Sequence, residues 1–278
     1  MKTKSVVKFT ALLFASLALT TALVGCSKKE DSKAPTLLKV GVCAGPYGDM
    51  FVQAIAPSLK EKGYAVEIVE FSDYVQPNKA LSDGEINLNM FQHSTYLKNF
   101  SAEYKLDLKH IVRIPTAGMG IFSEKFKSID ELPEGATIAI PNDVTNLART
   151  MRVLEQTGLV KIDEKTNPAQ ATQYTLSSNP KNLKFVEIEA PQLPRSLESV
   201  DAAVINGNFA ISAGLKLSSA LFNEQLQEGY INGIAVRTSD QDAQFVKDIL
   251  SVVHSDAFRK VINDPNNQYS SFYKPKDF

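Results

Sequence analysis

Three short runs carry side chains suited to gripping a small polar ligand, and each lies beside a stretch with strand character. The first is Phe91-Gln92-His93-Ser94-Thr95-Tyr96, two aromatic rings and an imidazole within six residues. Read alone, Phe91 and Tyr96 fit ordinary packing residues and His93 a hydrogen-bonded one, so the run only suggests a site. The second is Pro141-Asn142-Asp143-Val144-Thr145-Asn146-Leu147-Ala148-Arg149. Asn142 or Asp143 can cap a helix whose first-turn N–H groups attract an anion, and Asn146 and Arg149, three apart, share a helical face. An arginine so near a helix N-terminus opposes the helix dipole unless an anion sits beside it. A carboxylate ligand would supply that anion. The third pairs Asn206-Gly207-Asn208 with Tyr230-Ile231-Asn232-Gly233; by themselves these read as turn asparagines.

Enzyme signatures are missing: the sequence holds no GxSxG, HExxH, CxxC, GxxxxGK[ST] or GxGxxG. A hydrolase built on His93 and Ser94 is a weak alternative, because neighbours on a chain rarely aim at each other and no third orienting group is evident.

The elements that must position these runs alternate between strand and helix. Strands are expected at 37–43, 65–71, 86–91 and 109–114, with helices at 47–62, 76–82 and 95–101. Pro115, Gly118 and Gly120 then break the pattern. Beyond them come a strand at 137–141, a helix at 143–156, and strands at 182–189, 201–206 and 233–237. Helices at 240–253 and 256–262 are too little for a third domain and are expected to return to the first. Two α/β lobes place a cleft between them, and ligands of such sheets bind outside the carboxyl ends of the strands.

The 278 residues are 44% hydrophobic and 22% charged, ample for one or two globular domains. Thirty Lys and Arg against thirty-one Asp and Glu give a net charge of -1, which removes the positive field a nucleic-acid partner needs. Two cysteines and three histidines leave no disulfide scaffold and little for a transition-metal site. Lys2, Lys4 and Lys8 precede the apolar run FTALLFASLALTTALVG, the form of a secretory signal over 1–25. It ends in Leu23-Val24-Gly25-Cys26, which looks like a bacterial lipobox with Cys26 as the lipidated new N-terminus. Residues 26–36 then form a lipidated cysteine and flexible tether. Cys43, in an apolar run, is expected to be a buried small hydrophobe.

The chain resembles the NlpA/MetQ family of methionine-binding lipoproteins, the solute receptors of ABC importers. The resemblance is carried by FSDYVQPNKALSDGEINLNMFQHSTYL, SIDELPEGATIAIPNDVTNLAR, NPKNLKFVEIEAPQLPRSL and DAAVINGNFA. It implies an α/β, two-lobed periplasmic-binding-protein fold of type II, with the ligand cleft between lobes and two crossover strands. Lobe I would be 37–117 plus 232–278, and lobe II 118–231. The matching ligand positions are Tyr74, Phe91, His93 and Tyr96 from the first lobe, with Asn146, Arg149, Asn206 and Asn232 from the second lobe and the hinge. In that setting Arg149 would fork onto an α-carboxylate, a charge-assisted bond of about 1.5 to 3 kcal/mol. Asn206 and Asn232 would accept the α-ammonium, and His93 would orient or donate a hydrogen bond. Tyr74, Phe91 and Tyr96 would flank the thioether, each sulfur–aromatic contact being worth about 0.3 to 1.5 kcal/mol.

The implied protein is a monomeric receptor with no catalysis, cofactor or metal of its own. It would capture L-methionine, deliver it to an ABC permease and its ATPase, and sit in the cell envelope on a lipid anchor. The anchor could lie on the periplasmic face of the inner or outer membrane, or at the cell surface. Several residues depart from the family pattern: Thr95 for a proline, Val144 and Ala148 for a proline and a glycine, Phe209 for a tyrosine, and Ala117-Gly118 for a proline-containing turn. They leave open another apolar amino acid or a methionine dipeptide; a surface lipoprotein with a vestigial cleft is the runner-up from another class, and the eight intact ligand positions argue against it.

Overall fold

The computed structural model describes residues 34–278; the signal segment, Cys26 and most of the tether lie outside the described residues. Strand β1 (Thr36–Cys43) is buried on both faces over its second half, as a near-continuous apolar run in a parallel sheet must be. It pairs in parallel with β2 (Tyr64–Phe71) and with β3 (Leu88–His93). The β1–β2 crossover runs through α1 (Pro46–Met50), a single π turn at Phe51–Ile55 and α2 (Ala56–Glu61). The continuous helix expected over 47–62 is thus interrupted. Pro57 lacks an N–H to close the α ladder, and the ladder widens just before it.

Helix α3 (Gln76–Ser82) leads into β3, and α4 (Ser94–Tyr104) connects β3 to β4 (Leu108–Arg113). Strand β3 lies two residues later than expected. Asn87 is bound to Lys39 through both its side chain and its N–H, and β3 runs on to His93, which pairs with Asn232. Residues 114–119 then cross to a second sheet.

That sheet begins with β5 (Gly120–Phe122) and β6 (Thr137–Pro141); after α5 (Val144–Gln156), β7 (Lys161–Ile162) and β8 (Leu176–Ser178) form a separate two-stranded sheet. Next come β9 (Lys184–Ile188), α6 (Leu193–Ser196), β10 (Ala202–Ile205), α7 (Gly207–Ser212) and β11 (Phe222–Asn223). The order of the second sheet is β11-β5-β10-β6-β9. Residues 224–231 cross back to β12 (Asn232–Arg237), which enters the first sheet antiparallel between β3 and β4, giving the order β2-β1-β3-β12-β4. Helices α8 (Gln244–Val253) and α9 (Asp256–Ile262) follow. Val246, Ile249 and Phe258 share one core with Val40, Leu88 and Ile234, so the last helices return to the first sheet as expected. Helix α8 starts four residues later than expected because Thr238–Asp240 forms a 3₁₀ turn. The second sheet has its own core around Ile138, Met151 and Val204.

Candidate functional site: a closed cleft between two sheets

The carboxyl ends of β3, β6 and β10 converge on one cavity, closed down to about 20 Å³. Tyr74, Phe91, His93, Tyr96, Asn146, Arg149, Asn206 and Asn232 all line it, joined by Gln92, Ala117, Gly207 and Asn208. The eight positions expected from the sequence are therefore brought together, although they come from distant elements of both halves.

His93 caps α4: its Nδ1 accepts the Tyr96 backbone N–H at 3.0 Å. With Nδ1 occupied, the ring proton is assigned to Nε2, which faces Asn146 Oδ1 at 3.3 Å. Burial, reinforced by the nearby Arg149 guanidinium, holds the imidazole well below its usual pKa, so His93 is neutral. Ser94 instead donates to the Gly229 carbonyl at 3.2 Å, so no Ser–His pair forms. Asp143, not Asn142, caps α5, accepting from the Asn146 N–H at 3.0 Å and from its Nδ2 at 2.9 Å. Asn146 Oδ1 in turn accepts Asn206 Nδ2 at 3.0 Å. The far oxygen, Asn206 Oδ1, is buried and has no hydrogen-bond partner among the described residues. Asn232 donates its Nδ2 to the Phe91 carbonyl and its N–H to Thr116 Oγ1.

Arg149 requires a correction. The anion that answers its position near a helix N-terminus is Glu224, which sequence reasoning did not single out. Nε meets Glu224 Oε1 at 2.8 Å and Nη2 meets Oε2 at 2.6 Å. The fork assigned to a ligand carboxylate is thus already occupied, while Nη1 makes no hydrogen bond within the described residues and the side chain still lines the cavity. Tyr230 stacks on the guanidinium, 5.1 Å from ring centroid to Cζ.

The apolar wall is aromatic. Tyr74 stacks on Phe91 with centroids 5.7 Å apart, meets Tyr96 edge-on at 5.8 Å and lies 5.0 Å from Phe209. The Tyr74 hydroxyl donates across the cleft to Asn208 Oδ1 at 2.7 Å, and Asn208 Nδ2 donates to the Ala44 carbonyl at 3.0 Å. Thr95, where the family pattern has a proline, donates to the Gly229 carbonyl at 2.8 Å. Behind the cavity, Asn78, Asn89 and Gln92 form a buried amide cluster that ties α3 to β3 through bonds of 2.6 to 2.9 Å. Its only sequence signal was Asn89 and Gln92 among the apolar residues Leu88, Met90 and Phe91.

Two sheets linked by a pair of crossovers and closed over a small cavity that mixes aromatic rings with asparagines define a two-lobed solute-binding protein of the periplasmic type. The sequence profile described as NlpA lipoprotein matches residues 38–274, and the chain belongs to that family. Among its relatives, the D-methionine-binding lipoprotein MetQ of Yersinia pestis is 39% identical over 273 residues, covering 96% of this chain and 97% of the relative. A nutrient-binding protein from Burkholderia cenocepacia, solved bound to methionine, superposes with a TM-score of 0.78 at 36% identity, over 84% of this chain and 97% of its own. A putative methionine-binding lipoprotein from Bacillus subtilis gives 0.80 at 32% identity, over 86% and 99%.

Proposed function

We propose that the protein captures methionine, in the first place L-methionine, in this cleft and delivers it to an ABC-type importer from a lipid anchor on Cys26 in the cell envelope. The observation that carries the reading is Asn206 Oδ1, a buried acceptor without a partner among the described residues, in a cavity that also presents the edge of Arg149 turned away from Glu224. Leaving such an oxygen unpaired costs about 1 to 3 kcal/mol, and an α-ammonium answers it. The α-carboxylate then meets Arg149 Nη1, with Asn232 as a second acceptor for the ammonium and Tyr74, Phe91 and Tyr96 around the thioether. His93 and Asn146 orient Asn206 rather than react.

The moving bodies are 37–117 plus 232–278 and 118–231, closing about the crossovers, with the Tyr74–Asn208 bond as a latch. The protein acts as a monomeric receptor that hands its ligand to a permease and its ATPase and does no chemistry on it. The names of the relatives support methionine as the ligand, and because one is named for the D form, both enantiomers belong in the test.

The test is a thermal shift of the full chain in detergent, unfolded and refolded to strip carried-over ligand, against L- and D-methionine, other apolar amino acids and methionine dipeptides. Ligand at 100 times its dissociation constant adds about 2.7 kcal/mol, a rise of roughly 5 to 11 °C for a domain of this size. Selective stabilisation by methionine is expected. No shift with any compound, in protein shown to have refolded, favours a vestigial cleft.

A further inference from the structure

The returning crossover, residues 224–231, grips the arginine of the site. The Glu224 carboxylate accepts both Arg149 bonds and a third from the Met119 N–H at 2.9 Å, while its own N–H donates to the Met119 carbonyl at 2.9 Å. One carboxylate therefore joins both crossovers to α5. The pair is nearly sealed, with side-chain exposures of 5% and 3%. Six residues on, Tyr230 covers the guanidinium and meets the His93 ring edge-on, with centroids 5.0 Å apart.

This arrangement sets the charge of the cavity. A buried charge without a counter-charge is strongly unfavourable, and here the guanidinium is cancelled within the protein. His93 adds none, since its Nδ1 lone pair is held by the Tyr96 N–H. Two further carboxylates lie near the lining: Asp73 is half-buried and accepts the N–H groups of Val75 and Gln76, and Asp143 too is only half-buried. It is spent on the Asn146 N–H and Nδ2 and on the Thr145 hydroxyl, at the positive end of α5. The buried shell is neutral, so a guest that is itself neutral overall can enter without leaving a charge uncompensated.

We propose that Glu224 is a specificity-determining positioning residue: by cancelling Arg149 it makes the cleft take the zwitterion of an amino acid and reject same-shaped anions in which a hydroxyl replaces the ammonium. The inference rests on the reading above that the cleft takes an α-amino acid. Without Glu224 the guanidinium would attract any carboxylate, and discrimination would fall to the asparagine acceptors alone. A hydroxyl can satisfy those acceptors too.

The test compares racemic methionine with racemic 2-hydroxy-4-(methylthio)butanoate by calorimetry on the full chain in detergent. In the unaltered protein methionine binds more tightly. In Glu224→Gln the ratio of the two dissociation constants is expected to shrink at least tenfold, methionine weakening while the anion holds or gains. Glu224→Asp is expected to keep the ratio, even where both ligands weaken. An equal loss for both ligands in Glu224→Gln, with methionine bound by the unaltered protein, would show a purely structural role and overturn the inference alone. Unaltered protein that binds neither compound overturns both the inference and the reading beneath it. Should Glu224→Gln fail to fold, the double variant Arg149→Gln/Glu224→Gln again has a neutral shell. It is expected to hold the ratio within about threefold while both affinities drop, and collapse of the ratio there overturns the inference.

Discussion

Arg149 and Glu224 share one buried fork, so truncating either strands the charge of the other. Arg149→Ala is expected to weaken methionine binding at least tenfold and also to lower stability by about 3 to 5 kcal/mol, read by calorimetry and urea unfolding. Unchanged affinity would remove Arg149 from the site. Two histidines set the pH response. Burial lowers the pKa of His93 well below its usual value and that of His110 to about 4. The unfolded chain therefore binds protons below pH 6.5 that the folded chain refuses. Their stabilising effect is complete above that pH and declines as pH falls toward about 4, at up to about 1.4 kcal/mol per unit for each group. Urea midpoints should fall between pH 7.5 and 5, and less steeply in His110→Gln; a pH-independent midpoint would contradict this. Glu224 escaped sequence reading because its partner lies 75 residues away and its own neighbourhood, Asn223-Glu224-Gln225, reads as a polar loop. His93, Asn146 and Arg149 stood in runs near the carboxyl ends of strands, but only the family resemblance raised them from packing or solvated residues to ligand positions.

Turns fix how closely the pieces approach. Gly207 starts α7 directly after Asn206, and a Cβ there would lie 2.4 Å from the Gly118 carbonyl and 2.7 Å from Ala117 Cβ, both in the forward crossover. Gly207→Ala is therefore expected to push the Asn206 turn off the crossover. Overpacking of that kind costs about 1 to 3 kcal/mol, and methionine affinity should drop with it; unaltered thermal stability and affinity would show that the turn yields freely. Gly45, at φ 129°, abuts the Asn208 carbonyl in the same way, with an added Cβ only 2.7 Å from it. Even elements of five to seven residues were readable where turn residues bound them: α3, β6 and α9 stand where the sequence placed them. Strands β5 and β11 were not, since three and two residues carry no periodic signal and pair only because the crossovers bring them together. Helix α7 hid behind Asn206-Gly207-Asn208, whose composition reads as a turn. The π turn at Phe51–Ile55 leaves the apolar face of its helix intact and so left no trace in the pattern.

The whole molecule was the most legible part, because the alternation of strand and helix, broken once near Pro115 and resumed, already implies two lobes and a return. The order β2-β1-β3-β12-β4 adds what periodicity cannot express: the returning strand inserts beside β3 and sets Asn232 opposite His93. Polar contacts between the two halves include Tyr74 to Asn208, Asn208 to Ala44, His93 to Asn146 and Thr95 to Gly229, of which the first lies at the aromatic wall. Tyr74→Phe is expected to loosen closure and speed methionine release severalfold by stopped-flow displacement, with little change in melting temperature; an unchanged off-rate would remove the latch. Cys26→Ser should move the protein from the membrane fraction to the soluble one, and continued pelleting with membranes would argue against lipid anchoring. The account stands most directly on the orientation of the ligand, which a crystal structure of the stripped protein with L-methionine would show. The carboxylate is expected at Arg149 Nη1, the ammonium within hydrogen-bond distance of Asn206 Oδ1, and the thioether among Tyr74, Phe91 and Tyr96. Methionine in the reverse orientation, or bound outside this cavity, would contradict it.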